Sequence, residues 1–147
     1  MQTLKQRHYF VWWALLLCLT AMSARAEQKI QLGNWDVHYM VVNTAFLNPD
    51  VAKNYGIVRS KYSALINVSV LDHTSQQAQN VAVMGTATNL LGNAKELAFQ
   101  KVEEGPAIYY LAEVTFTDRE TLRFAIDIQQ GNEIRTLKFQ QQMFVDD

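Results

Sequence analysis

The sequence predicts an all-β fold, an immunoglobulin-like antiparallel β-sandwich of about seven strands with one short inserted helix. Three observations carry this. Apolar and polar residues alternate with period two over several separate stretches, turn-forming residues bound those stretches, and no Pro-, Gly- or Ser-rich linker divides residues 27–147. Period two places successive side chains on opposite faces of a strand, so each stretch has one face for a core and one for water. Short strands at this density fit a two-sheet sandwich, with a barrel as the alternative.

The first such stretch sets Trp35, Val37 and Tyr39 against Asp36, His38 and Met40. The pattern then breaks over residues 48–56, where the spacing predicts a short helix. Asn48 can cap its free amides, Pro49 suits the first helical position, Asp50 favours the positive end of the dipole and Gly56 permits a left-handed exit. Strands resume with Ile66, Val68 and Val70, a less regular stretch over residues 81–88, and the pair Leu97 and Phe99. Ile108, Tyr110, Ala112, Val114 and Phe116 form the next, entered from a turn at Gly105 and Pro106. The clearest alternation is Leu122, Phe124, Ile126 and Ile128 against Thr121, Arg123, Asp127 and Gln129. Gly131 with Asn132 supplies a tight turn into a last strand through Leu137 and Phe139, so the two form a hairpin.

Upstream of all this, Lys5 and Arg7 precede an apolar run over residues 9–19, which closes on Ser23, Ala24, Arg25 and Ala26. That is the pattern of a secretory signal: a basic end, a segment that partitions into lipid, and small residues that fit the peptidase at Ala24 and Ala26. Cleavage is expected after Ala26, leaving residues 27–147 as one β-sandwich domain in the periplasm, with membrane contact only through the signal before cleavage. An uncleaved anchor is the alternative, although a span needs about 20 apolar residues and residues 9–22 are fewer. Cys18, the only cysteine, lies within the leader, so stability of the mature domain is expected to rest on its hydrophobic core rather than on disulfides. Without the leader, ten Lys and Arg stand against fourteen Asp and Glu, a net charge of −4. No basic stripe of the kind that binds nucleic acid is present.

The mature part resembles a family of exported proteins of Gram-negative bacteria known as domain of unknown function 4426. The residues that carry the resemblance begin with Trp35, Asp36, Val37, His38 and Tyr39, continue through Phe46, Leu47, Pro49, Val51 and Ala52, and include the run of residues 55–61. Further matches are residues 67–70, Gly85, Thr86 and Ala87 with residues 89–92, residues 107–113, residues 120–124 and residues 137–141. The resemblance implies periplasmic export and a β-rich domain, and no particular activity. Pro106 stands where the family pattern has a polar turn residue.

Catalytic constellations are sparse. No mature serine sits on a glycine-flanked elbow, the mature part has no cysteine, and no glycine-rich phosphate cradle follows a strand. Asp36 and His38, two apart on a strand, share a face that is expected to be solvated and form the best metal-like pair. A metal site needs three or four converging ligands, so neither a metal nor another cofactor is expected. Glu103 and Glu104 beside Gly105 read as a solvated turn, and Asp72 and His73 as the opening of a turn with Thr74 and Ser75. Tyr109 and Leu111 share the strand face opposite Ile108, which a loop or the helix is expected to cover.

Two function classes follow. The first is a non-catalytic binding or protein-interaction module of the cell envelope. Its candidate surface is the helix and the segment after it, with Phe46, Tyr55, Arg59 and Lys61 as the binding residues. Val51, Ala52 and Tyr55 pin that helix onto a sheet. Arg59 and Lys61 suit either an envelope protein or a small anionic ligand, because a guanidinium grips a carboxylate or phosphate with two parallel bonds. Equally open is a structural Arg59 that bridges within its own domain and fixes the loop. The second class is a small periplasmic enzyme with a site assembled around Asp36, His38 and Arg59. Export is checked by intact mass: periplasmic material should begin at Glu27, and a full-length chain in the inner membrane would establish the anchor instead.

Overall fold

The computed structural model describes residues 28–145; the leader, its cleavage site and Cys18 lie outside them. Among these residues nine strands form two antiparallel sheets. Sheet one joins β1 (Gln28–Leu32), β2 (Trp35–Asn43), β3 (Ser63–Asp72), β7 (Ala107–Thr115) and β6 (Gln100–Glu104) in that spatial order. Sheet two joins β5 (Ala94–Leu97), β4 (Ala82–Asn89), β8 (Thr121–Gln130) and β9 (Glu133–Gln142). One short helix, α1 (Pro49–Asn54), lies between β2 and β3. This is the sandwich that the alternating pattern predicts, and two strands beyond the expected seven come from features that period two does not display. β1 is a five-residue strand tied to β2 by the tight turn at Gly33 and Asn34, where Gly33 takes a φ of +62°. Leu97 and Phe99 belong to no single strand: Leu97 ends β5 in sheet two, and the chain crosses over Ala98 and Phe99 to start β6 in sheet one.

Between the sheets, Val37 on β2, Ile66, Val68 and Val70 on β3, and Tyr110, Ala112 and Val114 on β7 face Leu122, Phe124, Ile126 and Ile128 on β8 and Leu137 on β9. All are almost fully buried. The strictly alternating β8 keeps Arg123 and Asp127 exposed on its other side. The Gly131 and Asn132 turn closes the β8–β9 hairpin at Gln130 opposite Glu133, and Gly105 and Pro106 close β6–β7 at Glu104 opposite Ala107. Tyr110 also anchors the approach to β4, since its hydroxyl donates to the Gln79 carbonyl and accepts from the Val81 N–H, both at 2.9 Å.

α1 packs on the outer face of sheet one. Ala52 and Ile57 bury against Leu65, with Val42, Leu47, Tyr55 and Leu111 around them. Leu65 and Leu111 point away from the inter-sheet core, and α1 is their cover. Asn48 caps α1 by accepting from the Asp50 N–H at 2.9 Å, as its position predicts. Val51 departs from expectation: it stays 43% exposed, and Ala52 with Tyr55 and Ile57 makes the attachment. With about two turns the helix has room for one buried side, and the small Ala52 brings its backbone close to the sheet.

Phe124 is fully buried and stacks on Phe139 with ring centroids 4.6 Å apart. Phe124→Ala should therefore cost about 3–5 kcal/mol through lost burial and the cavity left behind. Urea unfolding measures it, and a loss below about 1 kcal/mol would mean that the β8 face is not core.

Candidate functional site

Sheet one carries two polar clusters, one at either end of β2. At the start of β2, Asp36 faces outward with its side chain 1% exposed. Three groups surround its carboxylate: His73 Nδ1 at 2.8 Å from Oδ1, Gln76 Nε2 at 2.8 Å from Oδ2, and Lys29 Nζ at 3.0 Å from Oδ2. A carboxylate only accepts, so the proton between Asp36 and His73 sits on Nδ1. The loop that covers Asp36 is shaped by Asp72, whose Oδ1 accepts from the N–H groups of Thr74 and Ser75 at 2.9 and 2.7 Å. Gln76 takes a φ of +59° there and turns its amide back onto Asp36. The turn expected at residues 72–75 is thus present, and the solvated face expected for Asp36 is not. The loop and Lys29 roof it, because a buried carboxylate needs this many donors to offset its lost hydration. The hydrogen bond from His73 lowers the pKa of Asp36 most, followed by those from Gln76 and Lys29, and holds it well below the usual carboxylate range.

An imidazole oriented by aspartate supplies two members of a hydrolytic triad. Among the described residues, however, no hydroxyl is hydrogen-bonded to the second ring nitrogen of His73. The enzyme nucleus expected from Asp36, His38 and Arg59 does not assemble either. His38 shares the outer face of β2 with Asp36, but Arg59 bonds beyond the far end of β2, where its Nη2 donates to the Ala45 carbonyl at 2.7 Å. Alternation along β2 places the first pair, and the return of the chain after α1 carries Arg59 away. Among the described residues no group of three or more His, Cys, Asp or Glu converges as a metal site would need.

The second cluster holds a 3-10 turn, Thr44–Phe46, at the end of β2. Thr44 is buried, and its hydroxyl donates to the Ser60 carbonyl at 3.0 Å, accepts from the Ser60 N–H at 2.9 Å and meets Ser63 Oγ at 3.0 Å. Asn43 donates to the Lys61 carbonyl at 3.2 Å and accepts from the Ala45 N–H at 3.1 Å. With Arg59 on Ala45, five polar ties bind this turn to the segment that returns from α1. They hold Phe46 out from the sheet, 58% exposed.

Phe46 stands at one wall of a groove of about 500 Å³ between the end of β2 and the end of β9. Tyr39 and Phe139, ring centroids 4.5 Å apart, form its floor, while Met40, Val41, Val42, Met143 and Phe144 complete the apolar lining. Gln28, Asn43, Gln141 and Gln142 supply its polar atoms, and among the described residues no charged side chain lines it. Of the four residues expected to bind, Phe46 lines the groove and Arg59 braces the turn that carries it. Tyr55 packs under α1, and Lys61 reaches over the Tyr62 ring at 5.5 Å from its centroid. Sequence reasoning missed both the Asp36–His73 pair, 37 residues apart, and the wall from β9. The only sequence signal for the latter was the run of Phe139, Met143 and Phe144 after the last clear alternation.

The family model for the domain of unknown function DUF4426 matches residues 29–146. A crystallised DUF4426 family protein from Pseudomonas aeruginosa is 38% identical, covers 85% of this chain and 100% of its own, and superposes with a TM-score of 0.73. FetP of a uropathogenic Escherichia coli strain, expressed recombinantly in the periplasm, is 8% identical with a TM-score of 0.59 over 83% of this chain and 96% of its own. A copper-bound variant of FetP gives 9% identity and a TM-score of 0.57 over 80% and 95%. The likeness to FetP is one of fold. No curated protein matches the chain.

The depressed pKa of Asp36 sets a pH dependence whose sign is fixed. A carboxyl that binds its proton less tightly when folded stabilises the fold above its unfolded pKa and loses that contribution as the pH falls. Stability should decline below about pH 4, near the unfolded value of aspartate. Asp36→Asn should lower stability at neutral pH and flatten that decline. Urea midpoints from neutral to acid pH test this, and an unchanged slope would remove Asp36 from the account.

Proposed function

This chain belongs to the DUF4426 family, and we propose that it is a non-catalytic binding module of the cell envelope that receives a protein partner in the groove between β2 and β9. The carrying observation is the groove itself. Phe46 and Phe144 are 58% and 53% exposed and Met40 is 41% exposed, all lining one concavity where no described residue brings a charge. Isolated exposed apolar residues are ordinary on soluble proteins, whereas a contiguous set around a concave slot marks a place where another molecule buries them. The turn with Phe46 is held by its polar ties before any partner arrives, so little ordering entropy opposes binding.

The envelope assignment rests on the leader pattern of residues 1–26. Arg59 and Lys61 underlie the reading of a small anionic ligand, and the lining gives that reading less support. Arg59 spends a guanidinium nitrogen on Ala45 and is a brace for the groove wall. The copper of the FetP variant belongs to a protein that shares the fold at 9% identity, and no copper role is transferred.

A matched pair of variants tests the proposal. Phe46→Ser removes an exposed wall of the groove, and Leu91→Ser removes an apolar side chain that is 87% exposed at the β4–β5 turn. With the exported protein as cross-linking bait in intact envelopes, Phe46→Ser should lose the partner while Leu91→Ser keeps it. Both should unfold within about 0.5 kcal/mol of the parent, as surface changes do. Retention by Phe46→Ser, or equal loss by both variants, would defeat the groove as the binding site.

A further inference from the structure

The outer face of sheet two carries side chains that neither the core nor the groove uses, and strand pairing fixes which residues share it. Arg123 on β8 stands directly between Thr88 on β4 and Gln140 on β9. One step along the strands, Ala125 stands between Thr86 and Lys138. Phe124 and Phe139, the residues in between, turn their rings into the sandwich and stack there. Ala125 has only a methyl group, so the longer side chains around it leave an open depression of about 530 Å³, with Thr88, Arg123, Lys138 and Gln140 around Ala125.

The charges that line this depression are of one sign. Elsewhere the cations mostly have partners within the domain: Lys29, Lys101, Arg119 and Arg135 sit beside carboxylates, and Arg59 and Lys95 donate to backbone carbonyls. Among the described residues, the side chains of Arg123 and Lys138 have neither kind of partner, and both are exposed. Two acids share their face. Asp127 accepts from Thr136 Oγ1 at 2.6 Å, and Glu96 lies on β5, two strands from β8. Lys53 on α1 is also without an ion pair, but it stands alone, and a lone solvated lysine is ordinary. Arg123 and Lys138 are diagonal neighbours on adjacent strands, within reach of one another for side chains this long. Like charges so placed repel, and an anion between them relieves the repulsion.

We infer that Arg123, Lys138, Thr88 and Gln140 form a subsite on the outer face of sheet two for the phosphate monoester group of a small solute. Two cations call for a dianion, since a single carboxylate would leave one of them uncompensated. A guanidinium grips two phosphate oxygens with parallel bonds, and an ammonium adds a point charge. The Thr88 hydroxyl and the Gln140 amide, on either side of Arg123, are neutral donors for the remaining oxygen. A depression of this size suits a small molecule. The subsite is independent of the groove, whose lining shares with it only Phe139.

The test is an NMR titration of the isotope-labelled exported protein with methyl phosphate at constant ionic strength and about pH 7.5, where the monoester is largely a dianion. The amides of Thr88, Arg123, Ala125, Lys138 and Gln140 should shift together and saturate at roughly millimolar concentration. Arg123→Gln with Lys138→Gln should weaken binding about tenfold or more, because two charge-assisted contacts are lost. Each single variant should show part of that loss, and Lys53→Gln should show none. Both residues are exposed, so the double variant should keep the parent spectrum away from the site. Acetate should bind more weakly than methyl phosphate, and equal binding by acetate would overturn the phosphate assignment. Shifts that rise without saturating, or equal weakening by Lys53→Gln, would show general attraction to positive charge and overturn the subsite. Binding to vesicles of phosphatidic acid without a response to methyl phosphate would overturn the small solute in favour of a lipid surface. None of these results bears on the groove.

Discussion

Face-to-face burial of two sheets governs everything else in this molecule. Val37, Ile66, Val68 and Val70 on one sheet meet Leu122, Phe124, Ile126 and Ile128 on the other, and nearly all of that apolar area leaves water. Burial of this kind is worth roughly 25 cal/mol per Å² of apolar surface. With no cysteine among the described residues, it is the main term that opposes chain entropy. The stack of Phe124, Phe139 and Tyr39 carries the same contact out to the margin of the sandwich, with Phe139 on β9 touching Tyr39 on β2. At that margin lies a groove with Tyr39 and Phe139 among its lining residues.

β2 is the strand on which both polar clusters depend. At its start, Asp36 trades water for His73, Gln76 and Lys29 and so ties the loop between β3 and β4 onto sheet one. At its end, Thr44 and Asn43 bind the segment that returns from α1, and Arg59 joins them on Ala45. Buried polar groups that are fully satisfied specify one arrangement, since any other would leave a donor or acceptor without a partner. The two clusters differ in consequence. The first fixes a loop over a carboxylate and, among the described residues, brings no hydroxyl to His73, whereas the second sets Phe46 at the wall of a concave surface.

Membership in DUF4426 and the likeness to FetP say that this sandwich is a frame used by more than one bacterial protein. A frame of this kind hosts many functions, so its strands explain where a site can be rather than what it does. The proposed site lies at the end of β2, and its energetic logic is that of preorganised binding. Its wall and floor are in place without a partner, and the apolar side chains already exposed there gain most from being covered.

The sequence by itself determined the class of fold, because period-two alternation in β2, β3, β7 and β8 leaves one face of each strand apolar and sandwich packing is how such faces leave water together. It also determined the helix, through the cap at Asn48 and Pro49, and the hairpin turns at Gly105 and Gly131, since these are local preferences of a few consecutive residues. Only the tertiary structure decided the rest. It made Leu97 and Phe99 a crossover between sheets, roofed Asp36 with residues 37 and 40 positions along the chain, and set Arg59 against the Ala45 carbonyl. It also brought Phe46, Phe139 and Phe144 around one groove. Each of those outcomes depends on contacts between segments far apart in the chain. Periodicity and capping carry no information about such contacts, because they act over a few residues while a site is assembled by the return of the chain.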